Sequence, residues 1–307
     1  MKTSLKTRLW LAIEKKAKEA INFFGVGNTR FSLLLARINS YLKKHFQRNV
    51  SLQSVDVHLA EHCNLGCFSC NHFSPLAEEE FADLNITTRD LRRLSELTKG
   101  NVGIIYLVGG EPLLHPNIIL FMQVARELFP DSDVHIITNG LLLLQQKPEF
   151  WEACKKYNII MTPTKYPGVD WDKIEKRADE FGYKFTYFDF SGTSEKVSRR
   201  FALDLTGSQD MKKSYENCCM ACCSIGLSDG RLSTCSFVFN MRHFNKYFKQ
   251  NVPVTSADSI DIYKAKDIQE ILDFLGNPIP LCRYCKSIGT EIVGEWRATK
   301  RELSEWT

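Results

Sequence analysis

The chain has 307 residues, of which 44% are hydrophobic and 25% are charged, and its net charge is +4. These values fit a globular protein of one large or two moderate domains, and no apolar run approaches the 18 or more residues of a membrane-spanning helix. Eleven cysteines without a secretory signal favour metal ligation in a reducing compartment over disulfides. We therefore expect a cytoplasmic protein.

Positive charge is concentrated in residues 1–50, which contain eleven Lys or Arg residues against two acids. Leu5, Leu9 and Ile13 recur at helical spacing among these charges, so the segment is predicted to form basic amphipathic helices. Such helices can pack on the rest of the protein with a solvated basic face, or they can make peripheral contact with an anionic membrane. Nucleic acid is not an expected partner, because no binding motif accompanies the charge.

A cysteine run follows the first predicted strand, Val55–Leu59. Cys63, Cys67 and Cys70 have the spacing C-x3-C-x2-C. Thiolates normally cap all four irons of a 4Fe–4S cluster, so three cysteines on one loop would leave one iron open. A structural zinc knuckle is the alternative, although zinc ligands usually come in C-x2-C pairs.

Strands and helices alternate after this run. Helices are predicted at 88–99, 116–129, 148–157 and 171–181, and further strands at 102–108, 134–138, 159–163 and 185–190. This alternation predicts βαβ units around a parallel sheet. The cysteine loop, the turn Gly109-Gly110-Glu111-Pro112 and the pair Thr138-Asn139 should meet at the carboxyl ends of the strands, where ligands bind in such folds.

A cysteine triad after one strand and a Gly-Gly-Glu-Pro turn after the next resemble the radical S-adenosylmethionine (SAM) superfamily. The resemblance implies a partial, open parallel β/α barrel of about five or six βα units. It also implies a 4Fe–4S cluster on Cys63, Cys67 and Cys70 that binds and cleaves SAM, so that the resulting radical removes a hydrogen from a substrate. A flavodoxin or ferredoxin would supply the electron.

The same resemblance implies residue roles. Gly109, Gly110, Glu111 and Pro112 would bind the methionine amino group, and Thr138 and Asn139 would lie near the ribose or carboxylate. Asn139-Gly140 is equally typical of a plain turn. Family members usually have an aromatic or large apolar residue directly before the third cysteine, whereas this chain has Ser69 there and Phe68 one place earlier. Adenine recognition is therefore not assigned.

The C-terminal third holds a second set of cysteines. Cys235 follows a predicted hairpin turn at Ser228-Asp229-Gly230, and Cys282 and Cys285 form a C-x2-C pair. This layout resembles the auxiliary-cluster extensions called SPASM and twitch. It implies a second 4Fe–4S cluster held by Cys235, Cys282, Cys285 and one cysteine of 218–223, with Cys218 or Cys219 matching best. A zinc ribbon is the alternative.

Surplus cysteines at 218–223 leave two interpretations open. Cys223 is a candidate hydrogen donor of an epimerase, or the extra thiols are buried bystanders. Cys154, alone on a predicted helix, is expected to be a core residue.

The predicted organisation is a basic helical segment at 1–50, a radical SAM barrel at 51–210 and an auxiliary-cluster domain at 211–307. The predicted function is hydrogen abstraction from a sugar, amino sugar or glycan precursor, leading to dehydrogenation or epimerisation. A peptide-modifying maturase is the first alternative. A non-catalytic iron–sulfur or zinc-binding protein is the second.

Overall fold

The computed structural model describes residues 51–187, 196–218, 220–221, 224–286 and 291–307. The predictions for 1–50 and for Cys219, Cys222 and Cys223 lie outside these ranges. Residues 51–307 form one compact unit. Among the described residues, no helix is both long and apolar enough to cross a bilayer.

A seven-stranded, mostly parallel sheet organises the fold. Its parallel strands are β1 (Leu52–Ala60), β2 (Val102–Gly109), β3 (Asp133–Thr138) and β4 (Ile159–Pro163), paired in chain order. On the other edge of β1, the sheet continues through β6 (Gly226–Ser228), β7 (Arg231–Ser233) and β8 (Ile260–Asp261). The strand β6 is parallel to β1, and β7 and β8 are antiparallel to their neighbours. The predicted α/β class with a parallel sheet is confirmed.

Two further strands form a separate antiparallel pair, β5 (Val197–Arg200) with β9 (Glu291–Glu295). The strand predicted at 185–190 is wrong over residues 185–187, which have no regular secondary structure, and its remainder lies outside the described ranges. Thr186 N–H donates to the carbonyl of Met161 in β4 over 3.0 Å, so the segment still runs beside the sheet for one bond.

The described residues contain seven α-helices. They are α1 (Leu84–Thr98), α2 (Ile118–Leu128), α3 (Pro148–Lys156), α4 (Trp171–Glu180), α5 (Met211–Glu216), α6 (Phe237–Phe248) and α7 (Ile268–Leu275). The first begins four residues before its predicted start at 88 because Asp83 caps it. The Asp83 carboxylate accepts hydrogen bonds from the backbone N–H groups of Asn85 and Ile86.

Alternation along the strands separates an apolar face from a polar one. Val55, Val57 and Leu59 of β1 are buried in the first hydrophobic core, which also includes residues of the helices α1 to α4. Asp56 and His58 point to the opposite face, since successive side chains of a strand alternate. Both side chains line the cavity described below.

A second hydrophobic core meets the first at Phe274, which packs against both. Phe73, which follows the first cysteine loop, packs against Phe237, Phe244 and Trp306, with ring centroids 5.2, 5.3 and 6.3 Å away. Cys235 and Cys282 pack against the same core. The two cysteine regions thus border one shared apolar cluster.

The predicted hairpin at Asp229-Gly230 is confirmed. It joins β6 to β7, and both turn residues have positive φ angles, 47° and 71°. Positive φ at both central positions is the geometry of a type I′ turn, which matches the twist of the flanking strands.

Candidate active site

Cys63, Cys67 and Cys70 lie on the loop that leaves the carboxyl end of β1. All three are free thiols of intermediate exposure. Burial raises the pKa of the Cys63 thiol well above its ordinary value, with Glu111, Cys70 and Cys67 raising it further. Burial and Cys67 raise the pKa of Cys70 to about 11. Once deprotonated, the three thiolates would repel one another at this short range. A cationic metal centre bound by all three would offset that repulsion.

Gly109 and Gly110 press directly against the end of β1. The Gly110 N–H donates to the carbonyl of Ala60 over 2.7 Å, and the Glu111 N–H donates to His62 over 3.1 Å. A Cβ at Gly109 would lie 2.4 Å from the Ala60 carbonyl oxygen, and one at Gly110 would lie 2.1 Å from that of His62. Backbone packing within the protein is thus sufficient reason for both glycines, apart from any approach to a ligand.

The Glu111 side chain is fully buried and joins the ends of β2 and β3. Its Oε1 accepts hydrogen bonds from the Leu113 N–H at 3.0 Å and the Thr138 hydroxyl at 2.7 Å, and its Oε2 accepts from the Asn139 N–H at 2.8 Å. Burial raises the pKa of Glu111 to about 7, although these donors act in the opposite direction. Pro112 opens the short 3-10 helix that Glu111 caps.

Asn139 connects this turn to the cysteine loop. Its Nδ2 donates to Asn64 Oδ1 at 2.7 Å and lies 3.6 Å from Cys63 Sγ. Its Oδ1 accepts from the Leu141 N–H at 3.0 Å, which is the local turn expected of Asn-Gly. Asn139 therefore forms the turn expected of Asn-Gly, and its side chain also contacts the cysteine loop.

Phe68 and Ser69 both contact later parts of the chain. Phe68 is buried, with the Arg297 guanidinium 3.9 Å from the centre of its ring. Ser69 adopts a positive φ of 47°, and its hydroxyl accepts from the Phe201 N–H at 3.2 Å. Both residues help hold the loop against other segments.

A cavity of about 720 Å³ lies beside the loop, between β1, the β6–β7 turn and α6. Its charged and imidazole side chains are Asp56, His58, Glu61, Glu80, Asp229 and Arg242. Glu61 precedes Cys63 by two residues, and Ser236, also in the lining, directly follows Cys235. The cavity is of the size that small-molecule ligands occupy.

Carboxylates in the cavity differ in their partners. Glu61 accepts from His243 Nε2 at 2.7 Å, and Arg242 makes a paired contact with Glu80 at 2.8 and 2.9 Å. Burial acts to raise the pKa of Glu61, but hydrogen bonds from His243 and His58 outweigh it and hold the pKa below its ordinary value. Asp56 accepts from the Ser224 hydroxyl at 2.6 Å, and burial raises its pKa to about 6.

His72 links the cavity to the Gly-Gly-Glu-Pro turn. Its Nδ1 lies 2.6 Å from the carbonyl oxygen of Gly109, and its ring centroid lies 4.6 Å from that of His58. Burial lowers the pKa of His72 to about 3, so the ring is neutral and donates to the carbonyl. The cavity wall is thereby tied to the turn.

The second cysteine group is brought together by the fold. Burial raises the pKa of Cys235 well above its ordinary value, and the nearby thiols of Cys285, Cys218 and Cys282 raise it further. Cys218 also raises the pKa of Cys282, after burial. These mutual effects mean that the four predicted thiols share one neighbourhood.

No group of three or more His, Cys, Asp or Glu side chains is arranged around a single metal ion in the described part of the chain. Thiolates around one zinc lie about 2.3 Å from it. A four-iron cluster is larger than one ion, so this absence applies to sites for a single metal ion and not to a cluster site. Cys154 is fully buried in the first core, as predicted, and burial raises its pKa to about 12.

A profile of the Radical SAM superfamily matches residues 57–164, from β1 to the end of β4. Among curated proteins, the chain is 32% identical over 119 residues to molybdenum cofactor biosynthesis protein 1 of Bos taurus, covering 38% of this chain and 18% of that protein. It is 26% identical over 133 residues to GTP 3′,8-cyclase of Alkaliphilus oremlandii, covering 41% and 40%. The matched region spans well under half the length of these relatives.

Among solved structures, BtrN in complex with AdoMet and 2-DOIA is similar, with 19% identity and a TM-score of 0.49. That match covers 76% of this chain and 93% of BtrN. SuiB of Streptococcus suis bound to its precursor peptide SuiA is 25% identical with a TM-score of 0.35, covering 53% and 38%.

Residues 57–164 are therefore identified as a radical SAM superfamily domain. A domain of this kind implies a 4Fe–4S cluster and SAM, together with a reductant. The residues present fit the cluster, because the three thiols of the first loop crowd together at the carboxyl ends of the parallel strands.

Sequence reasoning missed several residues at the site. Asp56 and His58 carried a usable signal, since both are polar residues in an alternating strand. Tyr166 and Trp296 carried none, because only the fold places them 3.4 Å from Cys67 Sγ.

Proposed function

We propose that this protein is a radical SAM enzyme that removes a hydrogen atom from a sugar, amino sugar or glycan precursor, leading to dehydrogenation or epimerisation. The observation that carries this proposal is the set of four carboxylates that line the cavity at the end of β1. When bound, the cluster and SAM supply the hydrogen-abstracting radical, and the protein supplies orientation and exclusion of water.

The charges of the cavity favour a ligand rich in hydroxyl or amino groups. Carboxylates accept hydrogen bonds and attract ammonium groups, and four of them line the cavity: Asp56, Glu61, Glu80 and Asp229. The one arginine of the lining, Arg242, is already paired with Glu80 and lies 3.5 Å from Glu61. A ring that presents several O–H or N–H donors would find acceptors on this surface.

Each predicted site residue receives a proposed role. Cys63, Cys67 and Cys70 hold the cluster. Glu111 fixes the ends of β2 and β3 through three accepted hydrogen bonds, and one of the four or so acceptor positions of its carboxylate is left for the SAM ammonium group. Gly109, Gly110, Pro112, Thr138 and Asn139 would shape the same pocket.

A second 4Fe–4S cluster on Cys218, Cys235, Cys282 and Cys285 is part of the proposal. Four thiolates would ligate every iron, which suits a centre that exchanges electrons with the substrate or with a flavodoxin or ferredoxin. The mutual effects of these thiols on one another's pKa support a common site. The division into 51–210 and 211–307, and peripheral membrane contact by 1–50, remain proposals.

Nucleotide cyclisation is the second candidate, and the similarity to GTP 3′,8-cyclases favours it. A triphosphate requires cationic partners, usually Arg or Lys. The described lining of the cavity offers one arginine against four carboxylates, which favours the sugar over the nucleotide.

Deuterium transfer tests the choice. The protein, reconstituted with iron and sulfide under anaerobic conditions, is mixed with SAM, a reductant and ring-deuterated amino sugars or neutral sugars, with GTP as the competing candidate. We expect deuterium from a sugar to enter 5′-deoxyadenosine. If GTP alone stimulates formation of 5′-deoxyadenosine, the nucleotide hypothesis replaces ours.

A variant of Cys223 distinguishes epimerisation from dehydrogenation. A Cys223→Ala variant that keeps its iron but no longer returns hydrogen to the substrate supports an epimerase. If all variants of the surplus cysteines keep iron and turnover, a dehydrogenase that uses the second cluster as electron acceptor is the better proposal.

A further inference from the structure

Residues 296–298, which follow β9, lie directly on the first cysteine loop. Cys67 and Ala298 form an antiparallel backbone bridge, and the Phe68 N–H donates to the carbonyl of Arg297 over 3.1 Å. The Arg297 guanidinium covers the Phe68 ring from 3.9 Å. The C-terminal segment is therefore part of the wall around the first cysteine loop.

Two aromatic side chains from different segments converge on the sulfur of Cys67. Trp296 donates its indole N–H to Cys67 Sγ over 3.4 Å, and the Tyr166 hydroxyl lies 3.4 Å from the same sulfur. The two rings meet edge to face, with centroids 5.6 Å apart. Trp171 fixes the Tyr166 backbone by donating its own indole N–H to the Tyr166 carbonyl over 3.1 Å.

Once Cys67 is a thiolate, its sulfur has no proton to give, and both side chains can act toward it only as hydrogen-bond donors. An indole N–H has no acceptor, and a phenol beside an anionic sulfur turns its O–H toward it. The donors at Cys63 are of another kind. Its sulfur accepts from the backbone N–H of Leu65 at 3.4 Å and lies 3.6 Å from the side-chain amide of Asn139, with no aromatic donor among these contacts.

We propose that Tyr166 and Trp296 are positioning residues that raise the reduction potential of the cluster by donating hydrogen bonds to Cys67. The reduced cluster carries one more negative charge than the oxidised cluster, so donors to a ligating sulfur stabilise the reduced state more. The inference rests on the proposed ligation of the cluster by Cys67, and it extends that proposal to residues outside the family motifs.

A redox titration of the reconstituted full-length protein tests the proposal. The EPR signal that changes on addition of SAM identifies the first cluster, because SAM binds to its open iron. Tyr166→Phe and Trp296→Phe should each shift the midpoint potential of this signal to more negative values, and the double variant should shift it further. Tyr157→Phe is the matched control, because its hydroxyl donates to Gln123 on α2, away from the loop.

An isosteric change separates donation from packing. Replacing Tyr166 by 3-fluorotyrosine makes the hydroxyl a stronger donor, so the potential should shift in the opposite direction, to less negative values. Potentials that stay equal to wild type in both Phe variants, with the signal still present, would overturn the proposal. A Cys67→Ala variant that keeps its SAM-sensitive signal would instead overturn the ligand assignment itself.

Discussion

Cys63, Cys67 and Cys70 lie within residues 63–70, whereas Cys218, Cys235, Cys282 and Cys285 are distributed over residues 218–285. The first set is positioned by one loop at the end of β1. The second is gathered from the end of α5, the end of β7 and the 3-10 helix Pro280–Tyr284. A local motif thus identified the first region from the sequence, while the second depends on long-range folding.

The same two regions differ in what surrounds them. Residues that follow three of the parallel strands contact the first loop: Glu111 donates its N–H to the His62 carbonyl, and Asn139 and Tyr166 lie beside cysteine sulfurs. Both regions border the apolar core of Phe73, Phe237 and Trp306, but it is Cys235 and Cys282 of the second group that pack directly against it. Hydrogen-bonding groups around the first loop suit cofactor and substrate chemistry, whereas thiols packed against an apolar core suit a centre that only exchanges electrons.

The largest expected effect is on the first loop. Cys63→Ala, Cys67→Ala or Cys70→Ala should abolish reductive cleavage of SAM, because each removes one of three thiolates and the iron can find no replacement nearby. Formation of 5′-deoxyadenosine measures this. Cys154→Ala, a change at the buried cysteine of the first core, is the matched control and should cleave SAM normally. Cleavage by all three loop variants would refute the assignment.

Joint replacement of Cys235, Cys282 and Cys285 by Ala should remove about four irons per chain. SAM cleavage without substrate should persist, because the first loop keeps its own thiols, but substrate turnover should fail. Iron, sulfide and zinc analysis decides the outcome. Loss of zinc with unchanged iron would mean that these cysteines form a zinc ribbon and not a second iron–sulfur cluster.

The shared core can be tested by removing a ring that borders both regions. Phe73→Ala should lower the free energy of unfolding by about 3–5 kcal/mol, because a fully buried aromatic side chain leaves a cavity. It should also lower iron retention at both cysteine regions. Phe121→Ala in the first core is the control, with a similar loss of stability measured by denaturant unfolding. Equal iron retention in the two variants would argue against the shared core.

Asp56, on the wall of the cavity, gives the smallest effect. Burial raises its pKa from 3.8 to about 6, against the opposing effects of Ser224 and His58. The folded state therefore holds this proton more tightly than the unfolded chain, so the associated stability is present below about pH 4 and is lost as the pH rises through about 6. The loss is on the order of 2–3 kcal/mol.

Asp56→Asn should remove this pH dependence. The difference in unfolding free energy between wild type and variant, measured by denaturant at several pH values from 4 to 7, should change across that window. A constant difference would mean that Asp56 is ionised throughout.

Much of the fold follows from the sequence alone. Hydrophobic alternation located β1 to β4, and periodicity located α1 to α4, because these elements bury one face against a common core. The Cys63 loop, the Gly-Gly-Glu-Pro turn and Thr138-Asn139 were placed at one end of the sheet because parallel strands present their carboxyl ends together.

Tertiary structure decided the rest, since those features depend on contacts between residues far apart in the chain. No local pattern predicts that Glu111 accepts hydrogen bonds from Thr138, Asn139 and Leu113. Nor does one predict that a side chain at Gly110 would collide with the carbonyl of His62. No sequence periodicity predicts that residues 296–298 contact the first loop. They follow β9, whose position is set by pairing with the distant short strand β5 and not by the main sheet. Spacing in the sequence determined which cysteines share a loop, and long-range packing determined which donors surround their sulfur atoms.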